Sequence, residues 1–239
     1  IYTLSLHDAL PIYELGSNWG KFLTAGSVIN DAVTRDGNGR IWPKNDDLSY
    51  HGDVTMREAV QRSLNVCSYK VFRQIERNEG AEYSMNMLKK VGITTLDDEN
   101  DLNPAALSLG GLTNGISPLE ETAAYATFPN GGVYKTPIFY TKVLDSNGDI
   151  LFEKTTEETQ VYDEGVAWIM TDVLRSVVTN GIAGSAAIGN QPVGGKTGTT
   201  SNKYDIWFSG FTPQYTMSLW MGNDRSEEHT SELQSHELI

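Results

Sequence analysis

Two short clusters in the chain carry residue types that could do chemistry together. They are Ser63-Leu64-Asn65 and Gly195-Lys196-Thr197-Gly198-Thr199. An ammonium beside a hydroxyl suits phosphate or a carboxylate, and spacing decides between them. A phosphate cradle of the form G-x-x-x-x-G-K-[ST] needs glycine at position 190, where the chain has Asn190. The run before the motif, "NGIAGSAAIGNQP", is small and polar rather than an apolar strand. The run after it alternates, with Ile206, Phe208 and Gly210 on one side and Trp207, Ser209 and Phe211 on the other. Period two with aromatics is a strand signal, and Thr212-Pro213-Gln214 then turns the chain back. The nucleotide reading fails on both counts. Lys196 to Gly198 are therefore expected on or beside a strand edge. There Gly198 lets a ligand backbone approach, while Lys196 and Thr197 offer a charge and a hydroxyl to a carboxylate. A free strand edge can also pair with an extended peptide. Taken alone, either cluster has a plainer reading: Ser63 and Asn65 as polar residues on the wet face of a helix, and Lys196 to Thr199 as a glycine turn.

The elements that must position these clusters follow from periodicity and punctuation. Residues 13–47 are glycine-rich and read as loop. Met56, Val60, Leu64, Cys67, Val71 and Ile75 have helical spacing, opened by a capping box of Thr55 with Glu58, so Ser63 and Asn65 are expected within a helical stretch. "AEYSMNMLKKVGI" is a second helix closed by Gly92. A third starts with Ser117 as N-cap and Pro118 in its first turn. Asn147-Gly148 marks a hairpin, and "EGVAWIMTDVLRSVVTN" is the most apolar helix. Helices come first and strands last, joined by hairpins, which predicts an α+β fold with helices packed on an antiparallel sheet.

The composition narrows the function classes. The 239 residues carry a formal charge of −13, a poor match to nucleic acid or to anionic lipid. One cysteine, Cys67, excludes an internal disulfide and a CxxC metal site, and it reads as a small buried residue. No apolar run approaches the length of a membrane span. Residues 1–12 and 225–239 differ in texture from the rest and resemble in-frame translations of sequencing-adapter DNA, so they read as foreign tails on a body of residues 13–224. Of the four histidines only His51 belongs to that body, where it reads as a surface-loop residue without partners for a metal or a Ser-His-Asp triad. Asp205 reads at least as readily as a strand-start hydrogen-bond acceptor as a catalytic acid. Trp168, Trp207 and Trp220 read as core or sheet-face residues, and Asp97-Asp98-Glu99 as a solvated loop.

Longer segments around both clusters carry a resemblance. "GDVTMREAVQRSLNVCSYKVF", "LSLGGLTNGISPLEETAAYATFPNGGVYKTPIF" and "GGKTGTTSNKYDIWFSGFTP" with "LWMGND" resemble the S-x-N segment, central signature and K-T-G strands of class A penicillin-binding proteins, in their transpeptidase domain. "IYELGSNWGKFLTAGSVINDA" is similar to the stretch that follows the nucleophile helix in that family. The resemblance implies an acyl-serine enzyme. It would act on peptidoglycan stem peptides ending in D-Ala-D-Ala and bind β-lactams, without cofactor or metal. It would work at the extracytoplasmic face of a bacterial membrane, in a parent whose anchor and glycosyltransferase domain lie outside this chain. It also implies roles. Ser63 relays a proton to the leaving amine and Asn65 holds the donor peptide's amide. Lys196 raises the local positive potential and keeps the base lysine's pKa low. Thr197 and Thr199 bind the substrate carboxylate beside Gly198, and the Thr199 amide contributes to an oxyanion hole.

The chain departs from the family in one respect. The family's nucleophile and base lie in Ser-x-x-Lys, and no lysine here has serine three residues before it. The resemblance then places the nucleophile helix before residue 13, and the 239 residues by themselves are expected to form no acyl-enzyme. The same fold also serves serine β-lactamases, D,D-carboxypeptidases and non-catalytic penicillin sensors. The "KTGTT" to "WFSGFTP" run favours the transpeptidase among them.

Overall fold

The structure is a computed structural model, and residues 24–200 and 204–222 are described. The expected tails at 1–12 and 225–239 lie outside the described residues, as does the stretch from 13 to 23. The strands are β1 (Val28–Asp31), β2 (Gly52–Thr55), β3 (Val133–Lys135), β4 (Lys142–Leu144), β5 (Ile150–Glu153), β6 (Glu158–Gln160), β7 (Gly194–Thr199), β8 (Asp205–Phe211) and β9 (Thr216–Gly222). The helices are α1 (Met56–Gln61), α2 (Asn65–Glu79), α3 (Ala81–Lys90), α4 (Pro104–Leu109), α5 (Pro118–Ala126) and α6 (Glu164–Thr179). This is the expected α+β arrangement, and every strand pairing is antiparallel.

The sheet order β7-β8-β9 sets the frame for the second cluster, because β7 is an edge of that sheet among the described residues. Helix α6 packs against β7 and α5 against β8 and β9. In α6 the buried residues Ala167, Met170, Val173, Leu174 and Val177 recur at helical spacing. Each of the larger ones contributes about 1.5–3 kcal/mol by leaving water. Trp168 falls off that stripe. It is 68% exposed, so the expectation that it would be a core or sheet-face residue is corrected. Trp207 is buried as expected, and Trp220 packs beside it with ring centroids 6.4 Å apart.

The capping boxes at Thr55–Glu58 and Ser117–Glu120 form as the sequence predicts. Gly92 follows α3 at φ +85, and a Cβ there would come within 2.0 Å of the Tyr134 hydroxyl, so any other residue would strain the backbone and displace the Tyr134 ring. Two expectations fail. The loop-rich stretch holds a strand, β1, which pairs with β2. The helical stretch from Met56 to Ile75 is also broken into α1 and α2 at Arg62-Ser63-Leu64. The Leu64 amide donates to the Ala59 carbonyl (2.9 Å) and the Ser63 amide to that of Val60 (3.1 Å), which is the pairing of a Schellman helix ending. Ser63 has the left-handed φ of +55 that glycine normally takes there. Leu64 and Ala59 belong to one buried cluster, supplying the apolar contact that usually accompanies this ending.

Behind the β-sheet, Glu121 of α5 is 2% exposed. Its Oε1 accepts from the Ser209 hydroxyl (3.2 Å), and its Oε2 has no hydrogen-bond partner among the described residues. Burial raises its pKa to about 8. In the unfolded chain the group ionises near 4.5, so between these values only the folded state keeps the proton. Stability from this group is therefore full below about pH 4.5 and falls by about 1.4 kcal/mol per pH unit as pH rises toward 8. Glu121→Gln should flatten that decline and leave a protein that resists denaturant better at pH 8. Urea midpoints at pH 5, 6.5 and 8 for both proteins check this, and parallel curves would refute it.

Candidate active site

The break at Ser63 and the edge strand β7 meet. Lys196 is 1% exposed, and its Nζ donates to Ser63 Oγ at 2.7 Å and to the Thr197 carbonyl at 3.0 Å. An ammonium is the most strongly hydrated cation a side chain offers, and taking it out of water costs several kcal/mol unless its protons are accepted elsewhere. Ser63 is one such acceptor, and the strained backbone at Ser63 is what turns its hydroxyl toward the strand. Had α1 continued unbroken into α2, this residue would have stayed in the helix. The expectation of a polar residue within a continuous helix is corrected accordingly.

A cleft of about 350 Å³ opens beside this pair. Ser63, Leu64 and Asn65 of the α1–α2 junction and Thr197 and Thr199 of β7 line it, together with Ile182. Asn65 starts α2, is buried, and donates through Nδ2 to the Lys44 carbonyl (2.9 Å). Its carboxamide is thereby oriented. Lys196 and Gly198 face Ser209 and Trp207 across the ladder, while Thr197 and Thr199 alternate to the other side and reach the cleft. Gly198 is buried within the strand rather than lining the cleft wall.

The phase of the ladder shows where the amides of β7 point. The Thr200 amide donates to the Asp205 carbonyl (3.0 Å), and the register runs unbroken from Gly194↔Phe211 to Thr199↔Ile206. Bonded and non-bonded pairs alternate along an antiparallel ladder, so the amides of Lys196 and Gly198 belong to β8. Those of Thr197 and Thr199 point off the free edge, on the cleft side. An extended peptide or a single oxyanion can reach them there.

Sequence reasoning missed the third wall. Asn45, Asp46, Asp47 and Arg62 also line the cleft. The Asn45 carboxamide donates to both Asp31 oxygens (3.1 and 2.9 Å) and accepts from the Val66 amide (3.2 Å), so it fastens the loop to the first turn of α2. The loop has no periodicity to read, and within residues 13–47 it is expected only as loop. His51, expected on the loop surface, is half-buried: Nε2 lies 2.9 Å from Asp47 Oδ2 and Nδ1 lies 2.8 Å from Arg62 Nη2. The Ser49 amide, aided by His51 and Arg62 and opposed by burial, holds the Asp47 carboxyl below the usual range. Asp205 accepts from Trp220 Nε1 (2.9 Å) and from the Thr200 hydroxyl (3.3 Å), which fixes the strand ends and accounts for it structurally. Cys67 is buried as expected. Among the described residues no cluster of His, Cys, Asp or Glu could hold a metal ion, and no helix is long and apolar enough to cross a membrane.

The model of the penicillin binding protein transpeptidase domain matches residues 21–235. The chain belongs to the penicillin-binding protein transpeptidase family. Penicillin-binding protein 1A of Clostridium tetani is 35% identical over 225 residues, covering 89% of this chain and 28% of that protein. Penicillin-binding protein 1A of Clostridium botulinum is 40% identical over 185 residues, covering 77% of this chain and 22% of that protein. The chain thus spans about a quarter of the length of these curated relatives. Among solved structures, penicillin-binding protein 1A from Haemophilus influenzae superposes with a TM-score of 0.77 at 21% identity, over 95% of this chain and 38% of that one. The PonA1 protein from Mycobacterium tuberculosis in complex with penicillin V superposes with a TM-score of 0.78 at 21% identity, over 95% of this chain and 61% of that one. These likenesses agree with the α+β penicillin-binding protein fold expected from the sequence.

Proposed function

We propose that the chain supplies three walls of the acyl-transfer cleft of a peptidoglycan D,D-transpeptidase, with the nucleophilic serine and base lysine coming from a Ser-x-x-Lys segment outside these 239 residues. The observation that carries the proposal is the hydrogen bond between Lys196 and Ser63, made beside a cleft that presents Asn65, Thr197 and Thr199. The serine oxygen attacks the carbonyl of the penultimate D-alanine and gives its proton to the lysine amine. The oxyanion is held by the Thr199 amide with the serine's own amide. The bond to the terminal D-alanine breaks, and Ser63 passes the proton to the leaving nitrogen. An amine on a neighbouring strand then attacks the acyl-serine, forming the cross-link and restoring the hydroxyl. Asn65 holds the donor's amide, and Thr197 and Thr199, beside Gly198, hold its terminal carboxylate. The Lys196 charge draws that carboxylate in and favours a neutral base lysine. β-Lactams are the second class of ligand, acylating the same serine. The site of action is the extracytoplasmic face of the bacterial membrane, in a parent that carries the anchor and a glycosyltransferase domain.

The chain extended to include its Ser-x-x-Lys segment should release D-alanine from a D-Ala-D-Ala peptide and, given an amine acceptor, pass the acyl group to it. The 239 residues alone should do neither. Hydrolysis that no amine diverts would instead assign a carboxypeptidase or β-lactamase, and absence of turnover with intact acylation would assign a sensor.

A further inference from the structure

Away from the cleft, the outward side of α2 borders a second concavity. Lys70, Arg73 and Arg77 follow one another at i, i+3 and i+7, spread over about 10 Å of helix, and so share a face. With Arg35 from the loop after β1 they line a hollow of about 560 Å³. This hollow continues into a second of about 700 Å³, sharing Asp36, Gly37, Tyr69 and Arg73 with it and adding Arg40 and Trp42. Trp42 and Tyr69 stand edge to face, with ring centroids 5.1 Å apart and planes at 79°.

The groove carries surplus positive charge. Arg40 pairs with Asp36 at 3.0 Å, and Arg73 pairs with Glu76. Lys70 donates to the Asn30 carbonyl (2.6 Å) and Arg35 to that of Gly39 (2.7 Å), both uncharged acceptors. Arg77 is exposed and has no carboxylate partner among the described residues. Three cations are thus uncompensated around one groove of a protein whose formal charge is −13. Gathering like charges costs free energy unless a ligand repays it, and guanidinium forks match carboxylate and phosphate oxygens. The two rings stand nearly perpendicular and are each half-buried, so either can offer an apolar face with a polar edge to one face of a sugar.

We propose that this groove binds an anionic polysaccharide, a sugar chain bearing carboxylates or phosphates. The acidic remainder of the surface repels a duplex or a lipid sheet, which would extend beyond the groove, whereas a single narrow chain stays within it. The inference is independent of the acyl-transfer reading, since none of these residues lines the cleft.

Fluorescence anisotropy tests it with the full chain and five probes. These are labelled oligogalacturonate, a labelled phosphorylated maltohexaose, neutral chitohexaose, and single-stranded DNA and anionic vesicles as polyanion controls. At least one anionic sugar chain should bind, salt should weaken it, and the neutral oligosaccharide should bind far less. Which one binds decides between carboxylate and phosphate as the recognised group. The double variant Arg35→Glu, Arg77→Glu changes two exposed side chains and should weaken binding by roughly tenfold or more. Lys154→Glu, an exposed cation elsewhere, should not. If the double variant fails to fold, Arg77→Ala alone should still weaken binding measurably. Failure of the wild type to bind either anionic sugar overturns the proposal. So does unchanged affinity in the arginine variants, equal binding of chitohexaose, or tighter binding of DNA or vesicles.

Discussion

Lys196→Met in the extended protein should lower the rate of acylation by penicillin by roughly 10²–10³-fold, the scale seen when one preorganised charge or donor is taken from a transition state. The same substitution should leave the melting temperature unchanged or higher. Lys196 is almost wholly buried, and its ammonium is held by a serine hydroxyl and a backbone carbonyl. Methionine fills a similar volume without the desolvation penalty, and exchanging buried charge for apolar volume is often neutral or stabilising. Loss of rate with retained stability would mark Lys196 as present for chemistry. Loss of both in parallel would make it a structural lysine, and the cleft would lose its electrostatic rationale. Acylation rates against a fluorescent penicillin, with thermal melts on the same samples, separate the two.

The second large effect concerns Ser63, where conformation and chemistry can be pulled apart. Its φ of +55 puts a side chain in the left-handed region at a helix ending that ordinarily takes glycine. Ser63→Gly should therefore be more stable than Ser63→Ala by about 1 kcal/mol, because only the glycine variant relaxes the backbone. Both variants lose the hydroxyl that bonds Lys196, so both should lose roughly 10²–10⁴-fold in acyl transfer if that hydroxyl moves the proton. A stable Ser63→Gly variant with wild-type turnover would remove Ser63 from the proton path and leave it a helix terminator. Strain persists where the surroundings over-determine it, and here the buried Leu64 and Ala59 contact holds the turn closed around it.

These two residues show where the sequence could and could not be read. The strand was legible because Ile206 to Phe211 alternate, and the edge position of Lys196 followed from the small, polar run before it. The capping boxes were legible because Thr55 and Ser117 each precede a glutamate by three residues. The break at Ser63 was not. Apolar residues at Val60, Leu64 and Cys67 keep helical spacing straight across it, and serine carries no left-handed signal of the kind glycine would. The cleft's third wall was hidden for a different reason: Asn45 acts through Asp31 and Val66, and neither contact has a local pattern. Trp168 was misjudged because it sits inside the unbroken apolar run from Val166 to Met170, although Glu164, Thr171 and Asp172, one turn away on either side, mark its face as the exposed one.

Mass spectrometry of intact protein after exposure to benzylpenicillin addresses the division of labour at the cleft most directly. The extended protein should gain one penicilloyl group, mapped to the serine of its Ser-x-x-Lys segment, and the 239-residue chain should gain none. An adduct on any residue from 1 to 239, or an extended protein left unmodified, would contradict the assignment of Ser63, Asn65 and Lys196 as partners of a nucleophile supplied from outside.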